Sequence, residues 1–185
     1  FTNFWTSTIT YTASNLGATH CVSCARGGPA LRQSAQHRVA VTFDGDARRA
    51  LQPSASVAFA RADEGRSWSR AAEVGVVARA GSRTSFELGA GYEGRVLDAQ
   101  WVQNFGSAFS DTTHYTFARL DQDLVQLTAR ANVTLSPTLS LQLYAQPFIA
   151  VGDFTDWREI ADPYARAYDA RYAPYGGGAD PGGFN

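Results

Sequence analysis

Apolar and polar residues alternate with a period of two along most of the chain. Val125, Leu127, Ala129, Ala131, Val133 and Leu135 occupy the odd positions of one run, and Gln126, Thr128, Arg130, Asn132 and Thr134 the even ones. The next run sets Leu139, Leu141, Leu143, Ala145, Ile149 and Val151 against Ser140, Gln142, Tyr144 and Gln146. Successive side chains of a strand point to opposite faces, so each run predicts a strand with one apolar and one polar face. Both runs outlast the ~5–6 residues of an average strand. They reach the ~9–11 residues that a tilted membrane-crossing strand needs. Length therefore favours a membrane barrel over a soluble sandwich.

Five further strands follow from the same pattern: Asn3 to Thr12, Arg38 to Asp44, Ser54 to Arg61, Trp68 to Arg79 and Thr84 to Tyr92. Small and polar residues oppose each apolar row, which suits a wet barrel interior. Glu73, Arg79, Glu87 and Arg130 fall on that polar side and are expected to face the lumen, where such residues set selectivity or pair to plug it. Leu97 to Gln103 and His114 to Leu120 read as continuations of their strands beyond the bilayer. Gly81-Ser82-Arg83 and Ser136-Pro137-Thr138 predict tight turns. They alternate with longer links at Asn15 to Gln36, at Asn104 to Thr112 and after Gly152. Short turns on one side and long loops on the other are the habit of outer-membrane barrels. One pair of links fits this poorly: Asp44 to Gln52 falls on the short side and Ala62 to Ser67 on the long side. The reading divides the chain into a barrel segment over 1–152 and a loop or tail with a short helix over 153–185.

Composition changes this picture little. The net charge of -1 marks no nucleic-acid partner. All basic residues are Arg, and Met is absent even at position 1. Because neither an initiator Met nor a signal sequence precedes Phe1, the chain reads as a segment of a longer protein. No apolar stretch approaches the ~18 residues of a membrane helix. A mean hydropathy of -0.24 looks soluble, but alternating faces average out in a barrel.

Several segments resemble one known family. These are Tyr115-Thr-Phe-Ala-Arg-Leu-Asp-Gln-Asp123, Leu127-Thr-Ala-Arg130, Pro137 to Phe148, and Arg26-Gly-Gly-Pro29 in the first long link. Together they resemble the C-terminal barrel of the domain of unknown function 5916 family, bacterial surface proteins that often carry an N-terminal module similar to carbohydrate-binding family 9. The resemblance covers most of the chain and is most specific from Tyr115 to Tyr168. It implies an outer-membrane location, lipid as a partner, and carbohydrate only through the absent module. It carries over no catalytic residue. It also implies a further Arg- and Trp-containing strand past Phe184-Asn185, so the segment is expected to form an open, curved sheet.

The candidate chemistry is thin. Cys21-Val-Ser-Cys24 is half of a zinc site, with only His20 adjacent. It lacks the His that follows a haem-attachment pair, and it lacks the βαβ setting of a redox motif. A small disulfide ring in an exposed loop is the expectation. Asp121 and Asp123 lie two apart beside Arg119, a spacing that could serve acid–base work on a glycosidic bond but is commoner in a surface salt-bridge cluster. Tyr164, Tyr168 and Tyr172 would form one stripe on a helix, with Tyr175 close behind. Such a stripe can stack on sugar faces or pack a loop onto its barrel. Gly176-Gly-Gly178 and Pro181-Gly-Gly183 read as a flexible end, since no phosphate-loop Lys is present. No metal or other cofactor is called for.

The expected fold is thus all-β, an antiparallel up-and-down meander of long strands that forms part of a transmembrane outer-membrane barrel. The expected function is non-catalytic: channel, receptor or anchor for a surface carbohydrate-related module. A soluble secreted carbohydrate-binding β-sandwich would use the same alternation with its apolar face inward. Part of a polysaccharide-degrading enzyme is the third reading, suggested only by analogy.

Overall fold

A computed structural model describes residues 4–106 and 113–176. Asn3, most of the link 104–112, and the Gly- and Pro-rich end from Gly177 to Asn185 lie outside the described residues.

Long alternating runs become long strands. The described chain forms β1 (Thr6–Ser14), β2 (His20–Cys21), β3 (Leu31–Arg32), β4 (Gln36–Asp44), β5 (Leu51–Ala62), β6 (Ser67–Arg79), β7 (Thr84–Phe105), β8 (His114–Ser136), β9 (Leu139–Ala145), β10 (Phe148–Ile160) and β11 (Tyr172–Pro174). Two 3-10 turns, Asp63–Gly65 and Tyr168–Arg171, are the helical elements among the described residues. The main sheet runs β1-β4-β5-β6-β7-β8-β10-β11, with β9 also paired to β8, and every pairing is antiparallel. β2 and β3 form a separate small hairpin inside the first long link. The fold is therefore the expected all-β meander, and its sheet is open: among the described residues β1 has one strand partner and does not pair with β10.

Two segments differ from the sequence reading. Leu139 to Val151 is not one strand but two, interrupted at Gln146-Pro147, because proline has no N–H to offer the ladder. The register survives the interruption, since Ala129 pairs with Ala145 and Gln126 with Phe148. The Leu127 N–H also donates to the Pro147 carbonyl across the gap at 2.9 Å. Second, β10 does not stop near Gly152 but runs on to Ile160, so the division at 152/153 cuts a strand. The extensions expected of Leu97 to Gln103 and His114 to Leu120 are present within β7 and β8.

The link 45–50 remains longer than the link 63–66 opposite it. Its turn is compact: Arg48 binds both oxygens of Asp46 at 2.9 Å, and Gln52 donates to the Ala47 and Arg49 carbonyls. The Arg48 side chain and backbone amide hold the Asp46 carboxyl at about 2, well below its ordinary range.

Packing is uneven along the strands. The buried apolar side chains are Ala25, Leu31, Ala60, Val96, Phe117, Ala118, Leu120, Trp157 and Tyr168, nearly all near the long-loop end. The alternating part of the sheet has no comparable core. Register places Ile9, Val41, Val57, Ala72, Tyr92, Val125 and Ile149 in one row across seven strands on one face. That face is open: Leu127 is 52% exposed, Leu143 65% and Ile149 72%. Among the described residues no second layer covers it.

Candidate functional site: the polar face and its capped end

The register assigns the other face to small and polar residues. Ser56, Glu73, Gly91 and Gln126 lie in one row, and Val77, Glu87, Arg130 and Tyr144 in another. Glu73, Arg79, Glu87 and Arg130 thus share this one face of the sheet. Glu87 and Arg130 approach to 3.8 Å, and the Arg130 guanidinium lies 5.2 Å from the Tyr144 ring. Gln126 reaches Glu73 at 3.5 Å. Arg79 is spent differently, since it donates to the Ala47 carbonyl at 2.7 Å and ties the β4–β5 turn. A groove of about 400 Å³ follows this face between Ser54 and Thr128. Its floor is bare where Gly75, Gly89 and Gly91 face it; a Cβ at Gly75 would come within 2.9 Å of the Ser54 hydroxyl. The charged side chains that line the groove are the carboxylates of Asp44, Glu73 and Glu87, with Arg130 paired to Glu87 beyond its wall, so the groove itself is acidic.

Two motifs far apart in sequence meet at the long-loop end. Arg26-Gly-Gly-Pro29 packs on the strand ends that hold Trp101 and Tyr115. The Arg26 guanidinium lies 4.0 Å from the Trp101 ring, and Asn104 donates to the Arg26 carbonyl while accepting from the Trp101 indole. Gly28 sits against Tyr115 so closely that a Cβ there would lie 2.6 Å from the ring. Ala25, Leu31 and Phe117 form a small buried core beneath, joined by Cys24, Trp101 and Tyr172. Cys21 and Cys24 are bonded to each other, with 5.5 Å between their Cα atoms. The disulfide is thus as expected, but Cys24 is half-buried against this core rather than freely exposed. A cavity of about 480 Å³ lies between this loop and the sheet, with Gln33, Gln36, Gln100, Trp101 and Arg171 among its walls.

A buried ion cluster ties the cap to the sheet. Asp98 on β7 receives Arg119 of β8 at 2.9 Å and Arg158 of β10 at 2.7 Å. Its N–H donates to the Ser67 hydroxyl, which donates in turn to Asp63 at 2.5 Å. Burial opposes ionisation of Asp98, but the Arg158 and Arg119 guanidiniums outweigh it and hold the carboxyl below its usual range. Asp63 goes the other way: burial raises it, and the Ser67 hydroxyl only partly offsets that. Arg171 is buried and donates to the Ala165, Arg166 and Arg32 carbonyls and the Ser34 hydroxyl, which staples the tail to the first link.

This geometry revises the expected Arg119-Asp121-Asp123 cluster. The register that pairs Leu97 with Leu120 sets Asp98 opposite Arg119, and β7 then gains one extra residue in a bulge before Gln100 pairs with Ala118. Asp123 accepts instead from the Tyr92 hydroxyl at 2.5 Å, and that hydroxyl also accepts from Arg70 at 3.0 Å. The three tyrosines do not form a helical stripe either, because the segment makes one 3-10 turn and then enters β11. Tyr164 stands exposed beside His20, with ring centres 5.4 Å apart. Tyr168 is buried and packs on Tyr172, which in turn packs on Phe117; burial pushes the Tyr172 hydroxyl up to about 12. Tyr175 stacks on Phe105. Of the three stripe positions only Tyr164 keeps a broadly exposed ring. Nothing local in the sequence distinguishes Asp98, Arg158 and Arg171 from surface charges. Among the described residues no group of three or more His, Cys, Asp or Glu side chains is placed to hold a metal.

Comparison with family models, with curated proteins and with solved structures returned no match.

Proposed function

We propose that this chain is a non-catalytic part of an outer-membrane β-barrel, with its apolar face against lipid, its polar face toward a wet lumen and its cap over the long-loop end. The observation that carries the reading is the exposed apolar face. Val125 to Leu135 extends about 33 Å at ~3.3 Å per residue. Tilted by ~40°, this run stands about 25 Å tall, the height of the apolar band of such barrels. Arg70, Tyr92 and Asp123 lie at one limit of the band, where charges and aromatic hydroxyls reach head groups. In water the same face would be an aggregation surface. A soluble sandwich would need a second sheet over it.

The family likeness drawn from Arg26 to Pro29 and Tyr115 to Phe148 supports the same location. On that likeness the barrel serves as channel, receptor or anchor for a surface module related to carbohydrate. The test is extraction from bacterial membranes. The protein should stay with the outer-membrane fraction through alkaline carbonate and leave it only in detergent. Release by carbonate alone would defeat the proposal.

A further inference from the structure

The two edges of the sheet run in the same direction. Seven strand lines cross the alternating region: β1, β4, β5, β6, β7, β8 and the β9–β10 line. Each is antiparallel to the next, so the first and seventh are parallel to each other. Direct closure of β1 on β9–β10 would therefore create a parallel seam. Copies of this chain sharing one membrane orientation could also meet along these edges only in parallel. Parallel pairing is slightly weaker per residue than antiparallel, and bacterial barrels of one chain use even strand numbers.

The edge along β9–β10 is not a protected one. Leu127 donates to Pro147, so Pro147 and its alternate neighbours Ala145, Ile149 and Val151 turn their backbone groups to β8. The residues between them, Gln142, Tyr144, Phe148 and Ala150, turn theirs to the open side. β1 and β9 carry no charged residue, and β10 none before Asp153, so the usual guard of a free edge is missing along that stretch. At its upper end the same edge already has a partner: β11 pairs antiparallel with β10 from Arg158 to Ile160, and the Tyr175 N–H donates to the Trp157 carbonyl at 2.9 Å. In hydrocarbon an unpaired backbone group has no water to bond, so the rest of the edge needs a partner too.

We infer that an odd number of further membrane-crossing strands, belonging to the same polypeptide, completes this sheet, and that the strand beside β9–β10 runs antiparallel to it in the direction of β11. Its outward positions are apolar where they flank Leu143, Ile149 and Val151, and its inward positions are small or polar beside Gln142 and Tyr144. This inference rests on the membrane reading above.

The test is photo-crosslinking in the full-length polypeptide made in bacterial cells, with Tyr144→p-benzoylphenylalanine and, separately, Phe148→p-benzoylphenylalanine. Adducts should form within one polypeptide, on a segment other than the strands named here. The adduct should move to lower residue numbers when the probe moves from Tyr144 to Phe148, as an antiparallel neighbour requires. An adduct on Thr6–Ser14, an adduct joining two copies, a shift to higher numbers, or no protein adduct at all would each overturn the inference. Fractionation of the same cells reports separately on the membrane reading: a carbonate-soluble protein defeats that reading, while the adducts still decide the pairing.

Discussion

Asp98 and Arg158 form a 2.7 Å ion pair that spans from β7 to β10 over the intervening strand β8. Arg119 of β8 completes the bridge from below, so three strands share one buried carboxylate. Asp98→Asn would leave two guanidiniums competing for neutral acceptors, and should cost about 3 kcal/mol, the range for breaking a buried pair. The depressed carboxyl also sets a pH window. An ordinary unfolded Asp titrates near ~3.9, so the contribution is fully present above that value. It is lost as pH falls through the lower folded value. Limited proteolysis of the cap should show an acid-sensitive opening that Asp98→Asn lacks.

Asp63 invites the opposite expectation. Its carboxyl is raised by burial, so holding it ionised at neutral pH costs stability. Its backbone has φ of 53°, a conformation that Asn tolerates as well as Asp. An Asn side-chain oxygen can still accept from Ser67. Asp63→Asn should therefore leave the stability of the cap at pH 7 unchanged or increased, measured by thermal unfolding in detergent. A loss above about 1 kcal/mol would show that the charge itself is needed there.

The two faces of β8 make a matched pair of tests. Leu127 is on the open apolar face, and Thr128 on the polar face beside Gly89. Leu127→Arg should cost roughly 2–4 kcal/mol of folding stability in lipid, because a charge near the bilayer midplane is poorly solvated. Thr128→Arg should cost far less. Equal losses in the two variants, measured by denaturant unfolding in vesicles, would contradict the assignment of faces.

Gly28 lies in the cap where there is no room for a side chain. Gly28→Ala would drive a methyl into the Tyr115 ring and against Ala25. The loop should lift away, and cleavage by an external protease between Asn15 and Gln36 should accelerate. Tyr115→Ala should rescue Gly28→Ala if the clash is the cause.

Joining Cys21 to Cys24 closes a very short loop, which limits its stabilisation to about 2 kcal/mol. Replacing both by Ser should loosen the first link without disturbing the sheet, whose strands lie elsewhere. Membrane assembly, followed by heat-modifiable migration on a gel, should be unchanged. Bound zinc at one equivalent per chain would mean that the pair serves another purpose.

The period of two was enough to place the strands and to sort Leu127 from Thr128. A strand's side chains alternate by local geometry alone, so the partners need not be known. The same logic put Glu73, Glu87 and Arg130 on one face. Local pattern failed where a single residue altered the ladder. Pro147 splits an otherwise unbroken alternation because it lacks one hydrogen, yet it leaves the register intact.

Other features belong to contacts between distant segments. Arg119 stands two residues from Asp121, but its partner is Asp98, because the β7–β8 register sets that carboxylate across from it. Gly28 and Tyr115 are unrelated in sequence until the first link folds over the sheet end. Tyr168 and Tyr172 have helical spacing, yet the tail pairs with β10 and turns Tyr172 onto Phe117 and Tyr168 onto Tyr172. The chain by itself determined the long alternating strands and their two faces, since both follow from neighbouring residues. Tertiary structure decided which charges pair, which aromatics are buried and which edges stay open, since those depend on register and bulges summed across the whole sheet.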